Sequence, residues 1–128
     1  MIAADASALI AVVLGEPDAE RFLATLRSDS VAISAVSFTE ASVVVHARQG
    51  FDATRDLELL VAGVVNRIVA VDEPHARAAT DAWRRFGKGN HPARLNFGDC
   101  FAYATASLAN LPLLFKGNDF AQTDISVA

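Results

Sequence analysis

Short apolar runs recur along the chain, separated by longer segments with helical periodicity. The runs are rich in Ile, Val, Leu and Ala, and they lack the polar alternation typical of a half-exposed strand. They are Ile2 to Ala4, Val31 to Ser34, Ile68 to Val71 and Leu113 to Phe115, and a fifth candidate is Ile125 to Val127. We therefore expect short strands that are buried on both faces.

The segments between these runs predict helices, because their apolar residues recur every three or four positions. The predicted helices span Ala6 to Leu14, Asp18 to Ser28, Val36 to Gln49, Asp52 to Val65, Pro74 to Phe86 and Asp99 to Asn110. Parallel neighbouring strands require a crossover, and a helix commonly supplies it. The pattern predicts a three-layer α/β/α fold in which helices cover both faces of a central parallel sheet of four or five strands.

Composition favours one domain over residues 1–128, because 52% of the residues are hydrophobic and there is no repeat or low-complexity tract. No apolar run is long enough to cross a membrane. Met1 to Val13 lacks a basic start and contains Asp5, which is atypical of a signal peptide. The single cysteine, Cys100, allows no internal disulfide. We expect a cytoplasmic protein, and the net charge of -4 does not by itself indicate a nucleic-acid partner.

Carboxylates follow the first and the fourth predicted strands. Asp5 comes directly after one, and Asn118 and Asp119 follow Gly117 after the other. In open α/β sheets, ligands bind beyond the carboxyl ends of the strands. Two more acids are placed to join them, since Glu40 falls on the apolar stripe of its helix and Asp99 opens a helix that is apolar nearly all round.

Each acid also has a local structural interpretation. Asp5 and Asp99 are suitable N-caps, and Glu40 could complete a capping box that begins at Ser37. Asp119 could occupy a turn. The functional interpretation depends on the conjunction, because acids from distant segments are all predicted at one edge of one sheet.

Clustered carboxylates repel each other and take up protons unless a cation neutralises them. Mg²⁺ or Mn²⁺ is the expected cation, because hard ions prefer carboxylate and water oxygens. The three histidines, His46, His75 and His91, show no zinc-ligand spacing. Such an ion can orient a water for attack on a phosphodiester and stabilise the leaving oxygen.

A basic segment precedes Asp99, although the whole chain is acidic. The stretch WRRFGKGNHPARLNFG contains no acid, and with Lys116 near the fourth strand it supplies the candidate RNA-binding cations Arg84, Arg85, Lys88, Arg94 and Lys116.

Aromatic residues are interleaved with these cations. Phe86, His91 and Phe97 are candidates for stacking on unpaired bases. The alternative is a solvated helix end with Trp83 and Phe86 in the core. Asn96 and Asp124 are interpreted mainly as loop residues.

Four stretches together resemble the PIN-domain ribonuclease toxins of the VapC family: IAADASA, SFTEASVVV, GKGNHPARLNFGDCFAYATA and LLFKGNDFAQTDI. The resemblance covers essentially the whole chain. It implies a compact PIN fold and an endoribonuclease activity that depends on Mg²⁺ or Mn²⁺. It also implies a homodimer that assembles with a cognate VapB-type antitoxin into a larger, inhibited complex.

The resemblance assigns roles residue by residue. Asp5 and Asp99 match acids that bind the metal directly or through water, and Glu40 matches an acid that binds the metal's waters or helps to activate the attacking one. Ser7 matches a hydroxyl residue that supports the site. Asp119 is shifted by two positions, because many relatives place the last acid where this chain has Gly117. Either Asp119 reaches back to the site with help from Asn118, or three acids suffice.

Two other functions stay open. A small-molecule phosphohydrolase also begins with a strand and an acid, but it normally has a second Asp where this chain has Ser7. A non-catalytic RNA- or partner-binding module would need the basic segment and would use the acids only as caps. The apolar residues Phe22, Leu23, Leu26 and Val43 to Val45 could form either a groove for an antitoxin helix or part of the core.

Overall fold

The computed structural model of the protein describes all of residues 1–128. Its strands are β1 (Ile2–Ala4), β2 (Val31–Ser34), β3 (Arg67–Val69) and β4 (Leu113–Leu114). Its helices are α1 (Ala6–Val13), α2 (Ala19–Ser28), α3 (Ala35–Val64), α4 (Glu73–Phe86) and α5 (Phe97–Ala109), followed by a 3₁₀ helix at Phe120–Gln122. Strands and helices alternate as the apolar runs predict.

The four strands form one sheet in the order β3-β2-β1-β4, and every neighbouring pair is parallel. Ala3 of β1 lies opposite Ala32 of β2 on one side and Leu113 of β4 on the other. The predicted fifth strand is reduced to one bridge, in which Val127 pairs with Leu113. The predicted α/β class with a parallel sheet is confirmed.

Helices cover both faces of this sheet. Ile2 and Ala4 of β1 pack with buried residues of α1, α2 and α3, whereas Ala3 between them packs with α4 and α5. Neighbouring residues of β4 divide in the same way, with Leu114 in the first cluster and Leu113 in the second. Because side chains alternate across a strand, this division places one apolar core on each face and gives the three predicted layers.

One strand differs from the expectation of burial on both faces. β3 lies at the edge of the sheet, where Arg67 is exposed and Ile68 is 46% exposed. An edge strand has a neighbour on one side only, so its side chains have fewer partners than those of β1 and β2.

The two helices predicted on either side of Gly50 are continuous in α3 except for a break at that glycine. Gly50 has φ 73 and ψ -153, a conformation that L-residues with a Cβ strongly disfavour. The break redirects the chain, and Ala53, Leu57 and Val61 of the second arm then reach the same core as the first arm.

Most of the apolar residues of α2 and α3 that could form either a groove or part of the core belong to the core. Phe22, Leu26 and Val45 are at most 1% exposed, whereas Val43 is 62% exposed. None of the helices combines the length and hydropathy that crossing a bilayer requires.

Candidate active site

Asp5 lies at the carboxyl end of β1 and begins α1. Its backbone N–H donates to the Leu114 carbonyl at 2.9 Å, and its Oδ2 accepts the Ser7 N–H at 3.0 Å. Asp5 is 4% exposed, and its Oδ1 is buried without a hydrogen-bond partner. Burial raises the pKa of Asp5, hydrogen bonds from Ser7 and Ala6 oppose the rise, and the charge of Asp119 adds to it. The capping interpretation is correct for one oxygen and leaves the other unused.

Glu40 projects from α3 toward the start of α5, where it lines a cleft of about 720 Å³ together with Asn96 and Gly98. The capping-box interpretation of Glu40 is wrong, because the helix begins after Ser34 and not after Ser37. Glu40 Oε1 is buried without a partner. Burial raises the pKa of this carboxyl, and the charge of Asp5 raises it further.

A glycine permits this approach of Glu40 to α5. A Cβ placed on Gly98 would lie 2.5 Å from Glu40 Oε1, closer than nonbonded atoms approach each other. Gly98 immediately precedes Asp99, so the absence of its side chain brings the acid of α3 beside the acid of α5.

Asp99 sits in the first turn of α5 and forms a capping box with Asn96. The Asp99 N–H donates to Asn96 Oδ1 at 2.9 Å, and the Asn96 N–H donates to Asp99 Oδ2 at 3.0 Å. Asn96 lies in the loop before α5, as predicted, and it is also the N-cap of that helix. Burial raises the pKa of Asp99 to about 7, and the charges of Asp5, Glu40 and Asp119 contribute to the rise.

Asp119 lies exposed in the turn after β4, near enough for its charge to act on the other acids. Its charge contributes to the raised pKa values of both Asp5 and Asp99. Asp119 precedes the 3₁₀ helix, but its side chain makes no capping hydrogen bond there. Asn118 is exposed beside it. Ser7 connects this loop to α1, because its Oγ accepts the Lys116 N–H at 2.9 Å.

These acids fit a hard divalent cation bound partly through water. Asp5 Oδ1 and Glu40 Oε1 are buried carboxylate oxygens that accept no hydrogen bond. Mg²⁺ and Mn²⁺ prefer oxygen ligands of this kind. No three acidic, histidine or cysteine side chains are arranged to hold one ion directly. Mg²⁺ commonly keeps several waters and takes only one or two carboxylates, so the arrangement is compatible with that ion.

The predicted RNA-binding cations divide into two groups. Arg84, Lys88 and Arg94 are exposed and make no salt bridge. Arg85 instead contacts Asp124 at 3.1 Å and Asp81 at 3.9 Å. Lys116 contacts Glu16 at 3.0 Å and Asp18 at 3.3 Å. Three of the five cations are thus free to meet a polyanion.

The aromatic residues of this segment also differ from expectation. Phe86 is 8% exposed and packs against His91 and Tyr103 with ring centroids 5.2 and 5.6 Å away, so the prediction that it stacks on bases is wrong. Phe97 is 75% exposed, and Trp83, which the alternative placed in the core, is 47% exposed. The exposed aromatic surface near the acids therefore comes from Phe97 and Trp83.

Comparison with known proteins identifies the family. The PIN domain model matches residues 2–126. Ribonuclease VapC30 of Mycobacterium tuberculosis is 46% identical over 123 residues, which cover 95% of this chain and 94% of that protein. The chain belongs to the VapC ribonucleases of the PIN-domain family.

Solved structures support the same fold for this VapC chain. VapC20 of Mycobacterium tuberculosis, described as a Sarcin-Ricin loop cleaving toxin, superposes with a TM-score of 0.82 at 18% identity and covers 100% of this chain and 98% of its own. A chain of a toxin-antitoxin complex from Klebsiella pneumoniae gives 0.75 at 19% identity, with coverage of 100% and 97%. At these identities the likeness shows the fold.

Sequence reasoning missed the contributions of several residues in this VapC chain. A glycine beside an acid, as at Gly98, can indicate close packing against another element. The sequence did not indicate that Glu40 of α3 is the residue that packs there. Asp124 was interpreted as a loop residue, yet it bonds to both Arg85 and Tyr103. No local pattern links these three residues, which lie 18 to 39 positions apart.

Proposed function

We propose that this chain is a single-domain endoribonuclease over residues 1–128 that depends on Mg²⁺ or Mn²⁺ and acts in the cytoplasm as the toxin of a toxin-antitoxin pair. The observation that carries the proposal is the pair of buried, donor-free oxygens on Asp5 and Glu40, next to an Asp99 whose pKa is raised to about 7. The family contributes the reaction class, since a relative at 46% identity is named a ribonuclease.

Asp5 and Asp99 are the residues that would hold the ion, directly or through water. Glu40 and Asp119 would accept hydrogen bonds from its waters. When bound, the ion neutralises the acids and polarises a phosphate oxygen and a water for in-line hydrolysis of an RNA phosphodiester. The chain satisfies the need of such an ion for oxygen ligands without supplying a closed cage.

The remaining site residues accept a proton or hold the other site residues in place. The Glu40 carboxylate would help to activate the attacking water, because burial raises the pKa of Glu40 and makes the carboxylate a stronger base. Ser7 holds the loop that carries Asp119 through its bond to the Lys116 N–H. Asn118, exposed in the same loop, is proposed to help Asp119 reach the site.

Arg84, Lys88 and Arg94 bind the RNA backbone in this proposal. They are exposed, free of salt bridges and belong to the segment that leads into Asp99. Such contacts release counterions, so binding weakens as salt rises. Phe97 lines the cleft that Glu40 also lines, which places an exposed ring beside the acids.

The proposed partners are a VapB-type antitoxin and a second copy of this chain, assembled into a larger complex. Family membership supports both. The structure adds exposed apolar side chains on α3, where Val43, Phe51 and Leu59 are 62, 83 and 63% exposed. Exposed apolar groups of this size are suited to contact another protein.

Cleavage of total cellular RNA by the purified chain tests this function. We expect discrete fragments in Mg²⁺ or Mn²⁺ that disappear with EDTA and with Asp99→Asn. Sequencing the fragment ends would identify the RNA target. Intact RNA in every reaction, from folded protein shown to bind metal, would contradict the proposal.

A non-catalytic RNA-binding module is the second candidate, because two of the acids do serve as caps. Asp5 caps α1, and Asp99 completes a capping box. This function predicts RNA binding that survives simultaneous neutralisation of Asp5, Glu40, Asp99 and Asp119, with no cleavage in any divalent metal. Loss of cleavage with preserved binding in Glu40→Gln alone would instead favour the nuclease.

A further inference from the structure

The segment after β4 carries Asp119 and is anchored at several points. Phe120 is 2% exposed and packs against Phe115 with ring centroids 5.2 Å apart. Thr123 Oγ1 donates to the Phe120 carbonyl at 2.7 Å and accepts the Ile125 N–H at 3.2 Å. Residues 119–125 therefore form a short, internally bonded unit, and its placement sets the placement of Asp119.

Two side chains, from α4 and α5, hold Asp124 at the far end of this unit. The Tyr103 hydroxyl of α5 donates to Asp124 Oδ1. Arg85 of α4 donates to Asp124 Oδ2 at 3.1 Å and to the Tyr103 oxygen at 3.4 Å. We call Arg85, Tyr103 and Asp124 the C-terminal clamp.

The clamp is a closed network in which each charged group has a partner. The hydrogen bond from Tyr103 and then that from Arg85 lower the pKa of Asp124, so this carboxylate stays charged at neutral pH. Arg85 also lies over the Phe86 ring, 4.7 Å from its centroid. A guanidinium engaged in this way is poorly placed to contact RNA, in contrast to the free Arg84 beside it.

The clamp is partly exposed, which limits what it contributes to global stability. The side chains of Arg85 and Asp124 are 47% and 57% exposed, and ion pairs of that kind contribute little to the free energy of unfolding. Buried Phe120 and the bridge between Leu113 and Val127 already attach the segment to the fold. The clamp adds a fixed point at Asp124, between those two anchors, and so fixes the orientation of the internally bonded unit that carries Asp119 at its other end.

We propose that Arg85 and Tyr103 are positioning residues, which act through Asp124 to hold residues 119–125 and thereby set where Asp119 lies relative to Asp5 and Asp99. This role rests on the proposed nuclease function, and it replaces the RNA contact that the sequence suggested for Arg85. A displacement of about 1 Å at a site carboxylate is enough to slow a reaction substantially.

The test compares Arg85→Gln, Tyr103→Phe and Asp124→Asn with the unchanged chain. We expect each variant to lower kcat by roughly three- to tenfold, the scale of a site that is loosened but not dismantled. KM for RNA should stay constant, and the Mg²⁺ concentration for half-maximal rate should rise. Arg85→Lys should keep more of kcat than Arg85→Gln, since it retains a positive charge opposite Asp124 but lacks the planar fork.

Two controls separate positioning from other roles. Arg77→Gln removes an exposed arginine from the same helix, one that pairs only with Glu73, and it should leave kcat and metal dependence unchanged. In an Asp119→Asn background, Asp124→Asn should cause no further loss, because residues that act through one another are not additive. Full additivity of the two changes would overturn the proposal.

A readout without catalysis separates failure of the clamp from failure of the nuclease assignment. Amide hydrogen exchange of the whole, metal-free chain should be faster over residues 119–127 in Asp124→Asn and Tyr103→Phe, and unchanged in α1. Unchanged exchange over 119–127 would overturn the clamp even if RNA is cleaved. If the unchanged chain cleaves no RNA but the two variants exchange faster over residues 119–127, the clamp would be supported and the nuclease function contradicted.

The alternative for Arg85 gives a different pattern. If Arg85 binds RNA directly, Arg85→Gln would raise KM and flatten its salt dependence, whereas Asp124→Asn would leave kcat unchanged. That combination would overturn the positioning role.

Discussion

The acid site, by which we mean Asp5, Glu40, Asp99 and Asp119, and the C-terminal clamp are both groups of charged side chains. The two groups differ in how their charges are paired. The clamp pairs each charge with an opposite charge or a hydroxyl. The acid site brings like charges together and leaves Asp5 Oδ1 and Glu40 Oε1 buried without donors. Buried polar atoms without partners destabilise a fold. The proposed metal ion would supply the partner that these two oxygens lack.

Neutralising an acid of the site is the strongest way to break this contrast. We expect Asp99→Asn to lower the cleavage rate by roughly a hundredfold or more, because it removes a metal-binding oxygen while keeping a side chain of the same size. Single-turnover cleavage of RNA in saturating Mg²⁺ measures the effect. Asp56→Asn, an exposed aspartate on α3, is the matched control and should cleave normally. Equal rates for the two variants would remove Asp99 from the site.

A substitution at Gly98 changes the geometry of the acid site without changing its charge. The methyl group of Gly98→Ala would displace Glu40, since its Cβ would lie 2.5 Å from Glu40 Oε1. We expect cleavage to fall by about tenfold, on the scale of a misplaced catalytic group. Thermal stability should not fall, because Glu40 is a flexible side chain and Ala favours a helix.

Gly63→Ala provides the control for that experiment. Gly63 also lies in a helix, but a Cβ there would meet no atom within 4 Å. This variant should keep full activity. Full activity in Gly98→Ala as well would show that Glu40 need not stay where it lies.

The pH dependence of stability distinguishes the acid site from the paired charges. The pKa of Asp99 is raised from 3.8 to about 7, so the folded state binds more protons than the unfolded state between those values. Stability of the metal-free protein therefore decreases as pH rises through that window. Thermal unfolding in EDTA from pH 4 to pH 8 measures the decrease, which Asp99→Asn should reduce.

Added metal should reverse part of that decrease. Mg²⁺ or Mn²⁺ binds the deprotonated carboxylates, so the stabilisation it gives should grow as pH rises. A melting temperature that rises with pH in EDTA, or that does not change when metal is added at pH 8, would contradict the proposed binding of metal by the acids.

Removal of single surface cations should have the smallest effect. Lys88→Gln and Arg94→Gln should each raise KM for RNA about threefold and lower the salt slope of binding by about one unit. Lys116→Gln should change KM less, because this lysine already pairs with Glu16 and Asp18. Binding curves at several salt concentrations measure both quantities. A larger effect at Lys116 than at Lys88 would show that RNA displaces the paired acids.

Local patterns were sufficient for the positions of the four strands of the sheet and of the helices, but not for the predicted fifth strand, which is a single bridge. They were insufficient for Phe86 and Trp83, which share one helix but lie respectively 8% and 47% exposed. Helical periodicity shows which face of a helix is apolar, but the depth of each side chain depends on what packs against it. Asp99 shows a further limit, since it completes a capping box and also has a pKa that burial and the other acids raise to about 7.

The sequence by itself determined the parallel α/β sheet, and it predicted acids at the carboxyl edge of that sheet. Strand direction and side-chain period are local properties, and they suffice for that placement. Only the tertiary structure decided which cations are free, how Glu40 approaches Gly98 and how Asp124 meets Arg85 and Tyr103. The contacts of Asp124 are with residues up to 39 positions away in the sequence. Such contacts form only when the elements that carry the two side chains have packed together.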